Sequence, residues 1–343
     1  MDILIRVENG IGRITLNRPR ALNALTTDMC AAIDAALIAW ADDPLVRLVL
    51  IDHADGTRGF CAGGDIRLAA QSGRGDGKAG EDFFATEYRI NARIKAFPKP
   101  YVAVMDGVTM GGGAGVSVHG SHRIATENTL FAMPETGIGL FPDVGASWFL
   151  TRLNGRLGTW LALTGARLQG ADVAAAGLAT HLIASADIAA VKAALLAGEG
   201  PDQALARFAQ AVPAPGYGEH IVVMDRCFDQ LSVTAIIDAL RGEMDDWATR
   251  QADILATRSP LSMSVALAQL RRGREMTDFA EVMRMEYRIA CRILRSHDFS
   301  EGVRAVLEDK DHAPRWSPST LAEVTPDMIE AVFAPLTREL ALN

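Results

Sequence analysis

Two glycine clusters govern what this chain can fold into, FCAGGDI at Phe60 to Ile66 and MGGGAG at Met110 to Gly115. Each stands at or close to the end of a short apolar run and just ahead of a helical pattern. The chain is therefore predicted to alternate strands and helices, with backbone-only turns at the junctions. Without side chains, such turns let a ligand come against main-chain N–H groups at the positive end of a helix. Two N–H groups aimed at one carbonyl oxygen make an oxyanion hole, and losing one donor typically costs on the order of 10² to 10³ in rate. Tight turns and close packing are the commoner use of any single glycine. Neither cluster has the GxGxxG or GK[ST] spacing of a nucleotide site.

The flanking pattern supports an α/β fold. Ile3, Ile5 and Val7 alternate with polar neighbours, Glu8-Asn9-Gly10 can turn, and Ile14 and Leu16 resume the alternation, which reads as a hairpin. Thr27 and Asp28 offer helix-start chemistry ahead of Met29, Ile33, Leu37 and Trp40. Val46 to Ile51 and Tyr101 to Met105 suit buried strands, and Asp82 to Phe97 suits a helix ended by Pro98 and Pro100. Gln71 to Glu81 (QSGRGDGKAGE) is rich in glycine and charge without apolar period and predicts a mobile surface loop. Beyond about residue 186 alanine, leucine and charged residues recur at helical spacing, with breaks expected at Ser259-Pro260, Gly302 and Pro314 to Pro318. Residues 1–200 are expected to form the site-bearing core and 201–343 a helical region.

With 343 residues, 49% of them hydrophobic, the chain has material for a large core. A net charge of −8 with Lys and Arg scattered argues against a nucleic-acid partner. No apolar run reaches the roughly 20 residues of a membrane span, and MDILIRVENG lacks signal-peptide character, so a cytoplasmic location without membrane partners is the expectation. Cys30, Cys61, Cys227 and Cys291 form no CxxC pair and read as reduced thiols, with neither zinc site nor disulfide framework.

FAMPETGIGLFPDVGASWFL at Phe131 to Leu150 places Glu135 and Asp143 in an otherwise uncharged run. Carboxylates in such company must be paired, wetted by a site, or held with raised pKa values, conditions suited to acid, base or nucleophilic work. The competing reading makes Asp143 a helix N-cap and Glu135 a loop residue bonded to nearby backbone. His119 and Cys61 are better read as packing or hydrogen-bonding residues than as catalytic ones.

Taken together, NRPRALNAL at Asn17 to Leu25, FCAGGDI, MGGGAGVSVHG and FAMPETGIGLFPDVG resemble the enoyl-CoA hydratase/isomerase, or crotonase, superfamily. Within it they are most similar to the 3-hydroxyisobutyryl-CoA hydrolase family, as is WSPSTLAEVTPDMIEAVFAPL at Trp316 to Leu336. The resemblance implies a crotonase-like spiral of ββα units followed by helices that cover the site and mediate assembly, in a homo-oligomer. It implies an oxyanion hole from the N–H groups of Gly64 and Gly112, and substrate contacts from Glu87, Gly112, Glu135 and Asp143, with Ala62, Asp65 and Ile66 of the glycine loop. The implied activity is hydrolysis of a short branched 3-hydroxyacyl-CoA to free acid and CoA, a step of valine catabolism. No metal or cofactor is called for, coenzyme A being part of the substrate. Taken alone, Glu87 in FFATEYRIN would be a solvated surface charge.

One departure bears on the reaction. Hydratases of the superfamily carry a first glutamate where this chain has Gly115, and usually glycine where it has Asp143. That exchange favours hydrolysis over hydration. Enoyl-CoA hydration or isomerisation, hydrolysis of another acyl-CoA, and non-catalytic acyl-CoA binding are the alternatives.

Overall fold

The computed structural model describes residues 1–342. They form two compact units, each assembled from separated stretches of chain. The first comprises Met1–Gly64, Thr86–Ala132 and Arg167–Gly216; the second comprises Asp65–Ala85, Met133–Ala166 and the chain from Tyr217 onward.

Among the described residues the first unit holds all nine strands: β1 (Ile3–Glu8), β2 (Ile11–Leu16), β3 (Leu48–His53), β4 (Tyr101–Met105), β5 (Val108–Met110), β6 (His122–Ala125), β7 (Leu130–Ala132), β8 (Leu168–Gln169) and β9 (His181–Leu182). The hairpin β1–β2 is antiparallel and turns through Asn9 and Gly10 at φ 48° and 77°, the pair of left-handed residues that a tight twisted hairpin needs. One sheet runs β1-β2-β3-β4-β6-β9, parallel after the hairpin, and a smaller one runs β5-β7-β8. Each pass of the chain through β4–β5 and β6–β7 thus leaves one strand in each sheet, a spiral of strand pairs. All of β4 and all but the last residue of β3 are buried, as expected of parallel strands covered on both faces. Leu48, Leu50, Val102, Val104 and Ile124 of these strands pack with Ile188, Val191 and Leu195 of helix Ile188–Leu196.

Asp52 is the exception inside β3. Its carboxylate accepts the Thr15 hydroxyl (2.7 Å), Arg13 (2.9 Å) and Lys192 (2.7 Å), which offsets the cost of burying it.

The second unit is helical. Its longer C-terminal helices begin on side-chain caps: Ser232 for Val233–Gly242, Asp245 for Asp246–Ala256, Ser259 for Pro260–Glu275 and Asp278 for Phe279–Ile293, as does the shorter His297–Val303 on Ser296. The Ser259-Pro260 break is therefore a helix start. Gly302 is not a break: it lies inside His297–Val303, where an added β-carbon would stand 2.3 Å from the Ile138 carbonyl.

The expected mobile loop at Gln71 to Glu81 is also corrected. Helix Ile66–Gly73 and helix Lys78–Lys95 take most of it. Its glycines serve close packing: a β-carbon on Gly73 would be 1.9 Å from the Leu294 carbonyl oxygen, and those on Gly77 and Gly80 would meet Arg295 and the Leu294 side chain. Among the described residues no helix is long and apolar enough to cross a membrane.

Candidate active site

In the first unit the NRPRALNAL segment holds the first glycine cluster. Leu22 and Asn23 turn the chain at φ 47° and 58°. The buried Asn23 amide then donates to the carbonyls of Gly59 (3.0 Å) and Phe60 (3.1 Å), while its Oδ1 accepts the Arg18 N–H (2.7 Å). Ala62 N–H donates to Leu22 O (3.0 Å) and Leu25 N–H to Gly63 O (2.8 Å). On its other side this strip is tied to β5, with Cys61 N–H donating to Val108 O (2.8 Å) and Met110 N–H to Cys61 O (3.0 Å).

The second cluster follows β5 at once. Gly111 adopts φ 46°, ψ −119°, a conformation side chains resist, and opens the short helix Gly112–Gly115. That helix lies directly against the first cluster. A β-carbon on Gly112 would stand 3.2 Å from Gly64 N and 2.4 Å from Glu87 Oε1. Among the described residues, neither the Gly64 nor the Gly112 N–H donates a hydrogen bond. Two uncommitted main-chain donors in touching backbones are what an oxyanion hole requires.

Glu87, on helix Lys78–Lys95, is only 2% exposed, which overturns the surface-charge reading. Ala62, Gly64, Asp65 and Ile66 are each half-buried. Cys61 is fully buried and burial pushes its thiol up to about 12, so it is no ready nucleophile. His119 is buried at 6% exposure.

The second unit carries the two carboxylates. Glu135, 5% exposed, opens the turn Glu135–Ile138, which Leu140 N–H closes by donating to Glu135 O (3.0 Å). The turn is fixed by Thr136, whose hydroxyl donates to Leu163 O (3.0 Å) and whose carbonyl accepts Ser259 N–H (3.2 Å). Asp143, 4% exposed, precedes a sharp reversal at Val144 (φ 54°) and Gly145 (φ 86°). A left-handed β-branched residue costs about 1–3 kcal/mol and persists only where its surroundings hold it. The reading of Asp143 as an N-cap is not met, because Gly145, which has no side chain to cap with, occupies that position for Ala146–Phe149. Instead Glu286, from helix Phe279–Ile293, accepts the N–H groups of Gly145 (2.7 Å) and Ser147 (2.9 Å). Glu286 had no local signal in the sequence beyond its place among apolar residues at helical spacing.

A chain that winds strand pairs into two sheets, with two glycine clusters meeting back to back, belongs to the enoyl-CoA hydratase/isomerase family, whose sequence pattern matches residues 11–333. The chain is 45% identical over 335 residues to a protein of Xenopus tropicalis named 3-hydroxyisobutyryl-CoA hydrolase, mitochondrial, covering 95% of this chain and 86% of that one. Its counterpart of the same name in Homo sapiens is 43% identical, with 98% and 89% covered. Two solved structures are similar throughout. One, a carnitinyl-CoA dehydratase from Mycobacterium thermoresistibile, is 44% identical with a TM-score of 0.95, covering 99% of this chain and 98% of its own. The other, an enoyl-CoA hydratase from Rhodobacter sphaeroides 2.4.1, is 42% identical with a TM-score of 0.91, covering 98% of each. The mitochondrial names of the vertebrate relatives lend nothing to the cytoplasmic expectation.

Proposed function

We propose that this chain hydrolyses an acyl-CoA thioester, 3-hydroxyisobutyryl-CoA, to the free acid and CoA. The observation that carries the reading is the set of carboxylates. Position 115, where hydratases of the superfamily resemble one another in carrying a glutamate, is a buried glycine in the helix Gly112–Gly115 and cannot move a proton. Glu135 and Asp143, by contrast, are both present and buried. The names of the relatives in Xenopus tropicalis and Homo sapiens support the same reaction.

In this scheme the thioester oxygen accepts the N–H groups of Gly64 and Gly112, which stabilise the charge that develops on it as the carbonyl carbon is attacked. Glu135 supplies the attack, either by taking a proton from water or by adding to the carbon to give a mixed anhydride that water then opens. Asp143 orients the substrate's 3-hydroxyl and assists departure of the CoA thiolate. Glu87, Ala62, Asp65 and Ile66 line the substrate. Hydroxylamine separates the two routes on the protein: its attack on the glutamyl carbonyl of the anhydride releases the free acid and leaves a hydroxamate on Glu135, whereas the water route leaves Glu135 unmodified.

The test is thiol release by purified protein from 3-hydroxyisobutyryl-CoA, 3-hydroxypropionyl-CoA and crotonyl-CoA. Release from the first two, with no loss of enoyl absorbance from the third, is expected. Hydration of crotonyl-CoA without any thiol release would return the chain to the hydratase reading that the names of the two solved structures carry.

A further inference from the structure

Helix Phe279–Ile293 buries Phe279, Val282, Met283, Ile289, Ala290 and Ile293, and in the midst of them the carboxylate of Glu286, which is 0% exposed. A buried carboxylate is retained only where something holds it. Among the described residues Glu286 forms no ion pair with Lys, Arg or His; what it has instead is two main-chain N–H groups, Gly145 on Oε2 and Ser147 on Oε1. Those two amides flank Ala146 and belong to the first turn after Asp143.

The backbone between Asp143 and these amides is the improbable part of the segment. Val144 and Gly145 are both left-handed, Val144 is completely buried, and Ala146 N–H returns to Asp143 O at 2.9 Å. Gln269 Nε2 donates to the carbonyl of Pro142, just before Asp143, so the segment is gripped on both sides of the acid. A left-handed, β-branched residue keeps so costly a conformation only while its surroundings hold it, and Glu286 and Gln269 are part of that hold.

We propose that Glu286 is a positioning residue for Asp143: by holding the Gly145 and Ser147 amides it maintains the left-handed turn that aims the Asp143 carboxylate. The residue touches no reacting atom. The proposal rests on the assignment of Asp143 to the reaction, and the experiment separates the two.

The full chain is made as Asp143→Asn, Glu286→Gln and the double variant, and thiol release is measured with thermal unfolding of each. Glutamine keeps the volume of Glu286 but sets its amide donor against one of the two N–H groups. Glu286→Gln is expected to lower kcat/KM about 10- to 100-fold in the native background, and by less than about threefold in the Asp143→Asn background, since a misaimed residue that is already disabled has nothing more to lose. Glu286→Asp, which keeps both carboxyl oxygens as acceptors but is one methylene shorter, is expected to recover part of the activity. If Glu286→Gln costs the same factor in both backgrounds, or costs nothing in the native one, Glu286 is only a helix-to-turn fastening and the proposal is overturned. If Asp143→Asn is itself fully active, the failure lies with the role of Asp143 in the reaction. Where Glu286→Gln does not fold, Glu286→Asp carries the same cycle, and the same two outcomes decide it.

Discussion

Gly113 and Cys61 stand so close that a β-carbon on Gly113 would lie 2.2 Å from the Cys61 carbonyl oxygen. That carbonyl is already occupied by Met110 N–H at 3.0 Å, so it cannot retreat without loosening the strip of chain that carries Gly64. The two glycine clusters are therefore held by main chain against main chain, and each additional methyl group acts on both.

Gly113→Ala is expected to destabilise the protein by about 1–3 kcal/mol, as overpacking does. Gly112→Ala meets Gly64 N and the end of the Glu87 side chain instead. It is expected to lose thiol release by on the order of 10² or more while its unfolding temperature changes less than that of Gly113→Ala. Calorimetry and steady-state kinetics on the pair check both halves.

Glu135→Gln keeps the volume and the turn but removes the group proposed as base or nucleophile, and a fall in kcat on the order of 10² to 10⁴ is expected. Isothermal titration with CoA is expected to give unchanged affinity. Full activity in this variant would remove Glu135 from the chemistry.

Two buried carboxylates bend stability with pH in opposite senses. Burial pushes Asp52 up, but Lys192, Thr15 and Arg13 together outweigh it and hold its pKa below the ordinary carboxylate range. Its contribution is present above the ordinary value and is lost as pH falls through the lowered one. Lys192→Met is expected to destabilise the protein by about 2–4 kcal/mol at neutral pH and to move acid unfolding to higher pH.

Glu286 is the reverse. Burial raises it to about 8, against the pull of the Ser147 and Gly145 bonds and with the help of the Asp143 charge. A raised carboxyl contributes stability that is fully present below its unfolded pKa and is lost as pH rises through about 8. Denaturant midpoints followed from pH 5 to 9 are expected to show that decline, and Glu286→Gln is expected to flatten it.

All four cysteines are free and buried, and burial raises each thiol, Cys61 to about 12 and Cys227 and Cys291 to about 11. The native protein is expected to react only slowly with a disulfide reagent at pH 8, and all four thiols are expected to react in denaturant. Rapid native labelling of Cys61 would contradict the packing around Asn23, whose carbonyl accepts its thiol at 3.2 Å.

Much of this architecture was readable because it depends on local chemistry. Alternating Ile3, Ile5 and Val7, the unbroken apolar runs at residues 48–51 and 101–105, and the two glycine clusters each express a backbone requirement within a few residues. The failures share the opposite cause. Gly73, Gly77 and Gly80 look like loop flexibility until Leu294 and Arg295 arrive from more than 200 residues away, and Gly302 looks like a break until Ile138 does. Glu87 was placed only through resemblance, since nothing in FFATEYRIN marks a residue that ends up 2% exposed beside Gly112. Glu286 carried a faint signal: Phe279, Met283, Ala290 and Ile293 define an apolar stripe in which a glutamate is out of place.

The second unit takes in Asp65–Ala85 and Met133–Ala166 together with everything from Tyr217 onward. As the chain leaves the ribosome, the stretch bearing Glu135 and Asp143 is made well before Ser259, Gln269 and Glu286, which bond to it. The turns that carry these two carboxylates therefore stay incomplete until the last third of synthesis. A messenger cut short after Gly216 would yield a protein with both glycine clusters and both carboxylates in its sequence but without Ser259, Gln269 and Glu286 to fasten the turns around those carboxylates.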